Sequence, residues 1–336
     1  MDGRRADLVL EGGGVKGIGL VGAVSALADA GYGFPRVAGS SAGAVVGSLV
    51  AGLQRAGEPL SRLEDVMRAV DYRRFRDVGG IGRLPVVGRG LALLVRDGLH
   101  EGRYLEQFMT GALGELGVRA FGDLRLPAGG DAADGLPQEH AYSLVVTVSD
   151  LSRRRLAAVP WDLPSYGADP DGYPVARAVR ASAAIPFFFE PVHQPVRLAG
   201  ADGRATWVDG GLLSNFPVGL FDRADSVEPR WPTFGVRLTT RPPTPPHTEH
   251  VDGPLDIALA ALDTLLTDQG NRYLDDPCTV ERTVFVPTDG VSVVDFDLDR
   301  ATQDRLFRSG WRAAEEFLEA WDFSAHVRRC RPRAGS

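Results

Sequence analysis

Lysine is almost absent from this chain: of its 37 basic residues only Lys16 is lysine, and the rest are arginine. So uneven a usage reads as a compositional bias. Its single exception sits inside a glycine cluster, either by chance or because a compact ammonium on a flexible stem is wanted there and a planar guanidinium is not. Positive charge as a whole is in deficit. The formal net charge is −7, which excludes nucleic acid as the main partner, because neutralising phosphates needs a basic face. Cysteine is scarce too. Cys278 and Cys330 are the only two, too few for a disulfide framework, and their spacing fits no zinc site. The expectation is a reducing compartment and a cytoplasmic protein. No apolar run makes a signal peptide or a membrane span: "MDGRRADLVL" opens with charge, and "VAGSSAGAVVGSLVAGL" from Val37 is broken by serines. Membrane contact is therefore expected to be peripheral and transient.

What remains is ordinary globular composition, 44% hydrophobic and 24% charged over 336 residues, enough for a substantial core. Short apolar strands alternate with helical patterns, which predicts an α/β fold. "DLVL" from Asp7 reads as a buried strand, Gly17 to Gly31 as a helix, "FPRVAG" as a second strand and the small-residue run from Ala42 as a second helix. "YSLVVTVSDL" and "RRLAAVP" read as paired strands, and "VARAVRASAAIPFFFEPV" as a helix stopped by Pro186. "ATWVDGG", "TFGVRL" and "RTVFVP" read as further strands. Leu306, Phe307, Trp311, Phe317, Leu318 and Trp321 fall on one stripe of a C-terminal helix. Strand signals run from one end to the other, so one domain is expected over residues 5–325, followed by a flexible tail over 326–336.

Three glycine-rich strand ends carry the chemistry. In "GGGVKG", Gly12, Gly14 and Gly17 satisfy the spacing that cradles a dinucleotide pyrophosphate, but backbone N–H groups turned toward an anion serve a transient oxyanion equally well. "GSSAG" from Gly39 to Gly43 fits G-x-S-x-G with Ser41 at its centre, between a strand and a helix, as a nucleophile elbow requires. The same pattern also serves tight helix packing, so a base must be found to activate the hydroxyl. The six histidines, His100, His140, His193, His247, His250 and His326, lack strand-end signatures and read as solvated surface residues. Asp209 fares better. It follows an apolar strand and precedes Gly210 and Gly211, so its carboxylate emerges at a strand end in a tight turn, although an ordinary Asp-Gly turn has the same signature.

Together "GGGVKG", "GSSAG" and "VDGG", in that order, resemble the patatin-like phospholipase family, acyl hydrolases that use a serine and an aspartate without histidine. The likeness extends to "ASAAIP", "FFFEPV", "DGGLLSNFPV" and the segment from Val294, and so runs from about Ala6 to Trp321. It implies a three-layer α/β/α sandwich around a central, mostly parallel sheet. It also implies Ser41 as nucleophile and Asp209 as base, with Gly39 and Gly43 shaping the elbow and Gly210 and Gly211 the turn after the base. Backbone N–H groups of Gly12, Gly13 and Gly14, with that of Ala42, would form the oxyanion hole. Lys16 and Gly17 complete the glycine motif, Lys16 ordering the loop or adding positive potential. Asn215 and Pro217 take structural places, and the region from Ile185 to Phe189 would line the acyl site, although an aromatic cluster after a helix is more often core. The implied substrate is a phospholipid or another lipid ester, with no cofactor, nucleotide or metal; "GSSAG" occupies the place where a dinucleotide site needs an acid.

Calcium is not expected. "DFDLD" from Asp295 opens like a calcium loop, but Arg300 stands where glycine is needed and Leu306 where the closing glutamate is needed; "DPDG" from Asp169 is too short. "GGIGRLPVVGRGLALLV" from Gly79 is a lid candidate. Two other readings stay open: a Ser-His-Asp carboxylesterase of the α/β-hydrolase type, and a non-catalytic nucleotide- or lipid-binding module.

Overall fold

The computed structural model describes residues 4–75, 98–130, 136–198, 201–223, 227–238, 276–293 and 295–330, together with residues 257, 260 and 264. Among them, eight strands form one sheet. They are β1 (Asp7–Leu10), β2 (Val37–Gly39), β3 (Leu144–Asp150), β4 (Arg155–Val159), β5 (Val192–Leu198), β6 (Ala201–Asp209), β7 (Thr233–Arg237) and β8 (Thr283–Phe285). Across the sheet the order is β8-β7-β1-β2-β3-β6-β5, with β4 also paired to β3. β8, β7, β1, β2 and β3 are parallel neighbours; β4 and β6 run antiparallel to β3, and β5 antiparallel to β6. The helices used below are α1 (Gly17–Asp29), α2 (Ala42–Ala56), α3 (Arg103–Glu115), α4 (Val175–Ser182), α5 (Pro277–Glu281), α6 (Arg300–Ala320) and α7 (Phe323–Cys330). The chain is a three-layer α/β/α fold around a mixed, mostly parallel sheet.

The continuous apolar strands of the sequence are explained by burial on both faces. Successive side chains of a strand point to opposite sides. Leu8, Leu10, Val37, Leu144 and Val146 accordingly join one core with α1 and α2, while Val9, Ala38 and Val145 pack on the other face against Phe216, Val218 and Phe221. Central parallel strands covered on both faces need this composition.

Strand β3 has three partners and only two edges. Its residues 146–150 pair with β4, so β2, at 144–146, and β6, at 148–150, must share the opposite edge. They approach along that edge from opposite directions and stop on either side of Thr147. The segment after Gly39 and the end of β6 at Asp209 therefore meet.

Several sequence expectations change. The helix read through Pro186 ends at Ser182, and Phe187–Phe189 pairs as a short strand with Gly98–His100. Proline disfavours helical backbone at the residue before it, and consecutive aromatics favour extended chain. The expected tail from His326 is helical as far as Cys330, and Cys330 is disulfide-bonded to Cys278, a pairing that the reading of two cysteines in a reducing compartment did not include. The pair lies 52 residues apart, a proximity that spacing alone does not announce. Residues 331–336, and all of the lid candidate from Gly79, lie outside the described residues. Among the described residues no helix is long and apolar enough to cross a membrane.

Leu8 is fully buried at the centre of the sheet. Leu8→Ala removes buried methyl groups where packing cannot close, so urea unfolding should report a loss of about 2–5 kcal/mol.

Candidate active site

Ser41 stands between β2 and α2 with φ 52° and ψ −120°. Positive φ is costly for a residue with a side chain and persists only where the surroundings impose it. Here they do: a Cβ on Gly43 would overlap the Leu10 carbonyl, and one on Gly39 would overlap the backbone of Gly43. The chain can turn this sharply only because both flanking residues are glycine. The turn holds the Ser41 hydroxyl at the head of α2, whose N-terminal dipole favours negative charge nearby.

Ser41 Oγ donates to Asp209 Oδ2 at 2.6 Å. The other carboxylate oxygen of Asp209 accepts the Gly211 N–H at 2.8 Å. Both side chains are buried. Burial lifts the Asp209 carboxyl to about 6, against the opposing pull of its bonds from Ser41 and Gly211.

Residues that the sequence did not flag hold this pair in register. Ser182, at the end of α4, accepts the Ser41 N–H on its Oγ at 2.9 Å and the Gly210 N–H on its carbonyl at 3.1 Å. It thus ties the serine turn and the aspartate turn to one residue. Ser40 Oγ donates to the Ser214 carbonyl at 2.7 Å, which uses its one proton, so Thr147 Oγ1 donates to Ser40 at 2.6 Å. Ser149 bridges Gly210 and Leu213 in the turn after Asp209. A single serine or threonine in a strand or helix carries no local signal of such a role.

The glycine loop is fixed from two sides. Gly12 exchanges bonds with Asn215: its N–H donates to the Asn215 carbonyl at 3.1 Å, and its carbonyl accepts Asn215 Nδ2 at 3.3 Å. The Val15 N–H is taken by the Val293 carbonyl. Gly12, expected as an oxyanion donor, therefore has its N–H committed, whereas the amides of Gly13, Gly14 and Ala42 have no acceptor among the described residues. Gly14 has φ +54°, and a Cβ there would overlap the Val293 carbonyl.

Glu11 supports the loop from below. Its buried carboxylate accepts the Leu238 N–H at 2.6 Å and Arg237 Nε at 3.1 Å. Burial raises its pKa, and Arg237, the Leu238 amide and Lys16 pull the other way. Lys16 is thus placed close enough to be felt by a carboxylate beneath the loop.

A cavity opens beside Ser41 and Ala42. Its walls include Val45, Met67, Leu105, Phe108, Ile185 and Phe189, so the aromatic segment expected near the site does border it. The histidines lie elsewhere in the described structure or outside it. His100 is buried against Phe188 and Phe189, which corrects its reading as a surface residue, and His140 stacks on Trp161. His326 bonds Glu281 and lines a cavity with Asp7 and Arg282, at the starts of the parallel strands and so at the end of the sheet opposite Ser41. His247 and His250 are outside the described residues.

Comparison with known proteins places these features in a family. The family model described as patatin-like phospholipase matches residues 8–222, which carry all three glycine motifs. The uncharacterized protein YqhO of Bacillus subtilis (strain 168) is 34% identical over 318 residues, covering 94% of this chain and 99% of that one. Among solved structures, VipD from Legionella pneumophila is 16% identical with a TM-score of 0.49, over 95% of this chain and 67% of that chain. ExoU from the type III secretion system of Pseudomonas aeruginosa is 19% identical with a TM-score of 0.42, over 98% of this chain and 59% of that chain. With a match that spans the glycine loop, the serine turn and the aspartate turn, this chain belongs to the patatin-like phospholipase family.

Proposed function

We propose that the protein hydrolyses ester bonds of phospholipids or lysophospholipids through a Ser41–Asp209 dyad and an acyl-enzyme. One observation carries the reading: the 2.6 Å bond from Ser41 Oγ to a carboxylate removed from water, beside an apolar cavity. A carboxyl at its ordinary pKa is a feeble base, but burial brings Asp209 close to neutrality, where it stays ionised at pH 7 and still accepts a proton readily.

Ser41 Oγ attacks the ester carbonyl as its proton passes to Asp209. The negative charge that forms on the carbonyl oxygen is met by the amides of Gly13, Gly14 and Ala42, already oriented before reaction. Asp209 returns the proton to the departing alkoxide, leaving the acyl group on Ser41. Water then attacks this ester, gives its proton to Asp209, and the fatty acid leaves as Ser41 regains it. The apolar cavity houses the acyl chain, which gains about 25 cal/mol for each Å² of apolar surface withdrawn from water. Lys16 adds positive potential beneath the loop, and neither half-reaction calls for calcium.

A fluorophosphonate probe should label the wild type and fail to label Ser41→Ala. Asp209→Asn should lower turnover by ~10²–10⁴-fold, the range of a lost general base. In the wild type, kcat/KM should rise with pH and level off above about 6, the value to which burial lifts Asp209. A short-chain ester assay across pH 4–8 measures this, and a profile governed by a histidine near its ordinary value that disappears on replacing that histidine would overturn the dyad.

Stability should carry the opposite sign. Between the ordinary 3.8 and about 6, the folded chain holds the Asp209 proton more tightly than the unfolded chain. Its contribution is therefore full below 3.8 and lost as pH rises through about 6; a shift of about two units amounts to roughly 3 kcal/mol. Asp209→Asn should accordingly be more stable than wild type in urea at pH 8, by up to roughly that amount, with the gap closing toward pH 4. A gap independent of pH would show that the carboxyl is not perturbed.

A further inference from the structure

At the end of the sheet opposite Ser41, four potential metal ligands converge from two helices. Cys278 and Glu281 lie three apart on α5; His326 and Cys330 lie four apart on α7. Residues three or four apart on a helix share a face. In chain order the pattern is C-x2-E followed by H-x3-C, the format of a zinc site in which paired ligands come from two short elements. The cysteines alone do not display this, because Glu281 and His326 complete it.

The distances fit. His326 Nδ1 lies 3.2 Å from Glu281 Oε2, and Cys330 Sγ lies 3.9 Å from the same oxygen. One ligand atom from each of Glu281, His326 and Cys330 falls within 4.8 Å of the others, and Cys278 Sγ is bonded to that of Cys330. Metal–ligand bonds of ~2.0–2.3 Å in a tetrahedron set ligand atoms about 3–4 Å apart. The other oxygen of Glu281 is held by Arg329, which fixes the carboxylate with Oε2 facing the cluster, as outer partners do for metal-binding side chains. Charge balances as well: two thiolates and a carboxylate bring three negative charges, a divalent cation brings two positive, and Arg329 supplies the third.

We propose that Cys278, Glu281, His326 and Cys330 form a binding site for a zinc-class divalent metal when the cysteines are reduced. Two thiolates and an imidazole select a borderline-soft ion over calcium or magnesium, which prefer oxygen ligands. A dithiol reductant transfers two electrons and two protons to the Cys278–Cys330 disulfide, leaving two cysteine thiols and the oxidised, cyclic reductant. Metal binding then displaces both thiol protons. The ion replaces one covalent tie between α5 and α7 with four coordinate ones, so the two helices stay joined under either redox condition.

Cobalt(II) is the probe. Cys278 and Cys330 are the chain's only cysteines, so any thiolate-to-cobalt charge-transfer band reports this site alone. The full chain, reduced with dithiothreitol and freed of it anaerobically, should take up one cobalt with that band and the intense visible absorption of tetrahedral coordination; zinc should bleach both. The oxidised chain should show neither. His326→Ala, reduced, should bind at least ~10-fold more weakly, the least that losing a supporting partner costs. The comparison of the two redox forms needs no variant. A reduced chain that gives no thiolate–cobalt band, folded or not, overturns the site, as does a band of equal affinity in Glu281→Gln and His326→Ala together.

Discussion

The site depends on one geometric constraint: two strands of opposite direction end on the same edge of β3. β2 delivers the serine turn from one side and β6 delivers Asp209 from the other, with Thr147 at the seam. In a purely parallel sheet every strand would arrive from the same side, and a carboxylate at a strand end would stand beside the serine turn and not opposite it. Because the meeting is end to end, the 2.6 Å bond between Ser41 and Asp209 spans 168 residues of sequence without any lengthy loop reaching across. Ser40, Thr147, Ser149 and Ser182 close the seam with hydrogen bonds. Each bond is modest in net worth, but each leaves a buried group unsatisfied if broken.

The carboxylate at the seam and the carboxylate beneath the glycine loop are both buried, yet they serve differently. Burial raises both. Glu11 is compensated by Arg237 and by the Leu238 amide, so its charge has partners on both oxygens and anchors the loop. Among the described residues Asp209 has only a hydroxyl and one amide, and among the described residues no cation acts on it. A guanidinium beside Asp209 would stabilise the charge and, for the same reason, weaken it as a base. Arg237 thus serves the glycine loop, where tight binding of charge is useful, while among the described residues no cation acts on Asp209.

Much of this is legible in the sequence because backbone demands leave marks. Gly39, Gly43 and Gly14 stand where a Cβ would strike backbone, and no other residue can substitute, so the motifs are visible as motifs. The two-faced burial of β1, β2 and β3 is likewise written in unbroken apolar runs. The supporting side chains are not legible, because Ser182 and Thr147 act through contacts at long sequence separation and look locally like any small polar residue. Gly12 shows a subtler failure. Its place in the motif is plain, but its amide is spent on Asn215, and only the three-dimensional pairing shows that the next two amides are the ones left over among the described residues. The C-terminal residues escape a sequence reading for a related reason: a polar, arginine-rich helix looks like a tail until its partner across 52 residues is known.

That partner has its own physical rationale. β8 is only three residues long and, among the described residues, forms the outer edge of the sheet, paired on one side alone. Edge strands this short gain little from their own ladder. Immediately before β8 comes α5, whose start is capped by Asp276 through the amides of Cys278 and Thr279; after β8 the chain continues into α6, which packs on α1. Joining α5 to α7 encloses β8 and α6 in a loop of about 50 residues, and in the chain-entropy view closing such a loop stabilises by roughly 4 kcal/mol. The link therefore sits beside a short outer strand of the sheet. β8 pairs with β7, and the end of β7 carries the Arg237 and Leu238 groups that hold Glu11, so a single strand separates this outer edge from the carboxylate that anchors the glycine loop.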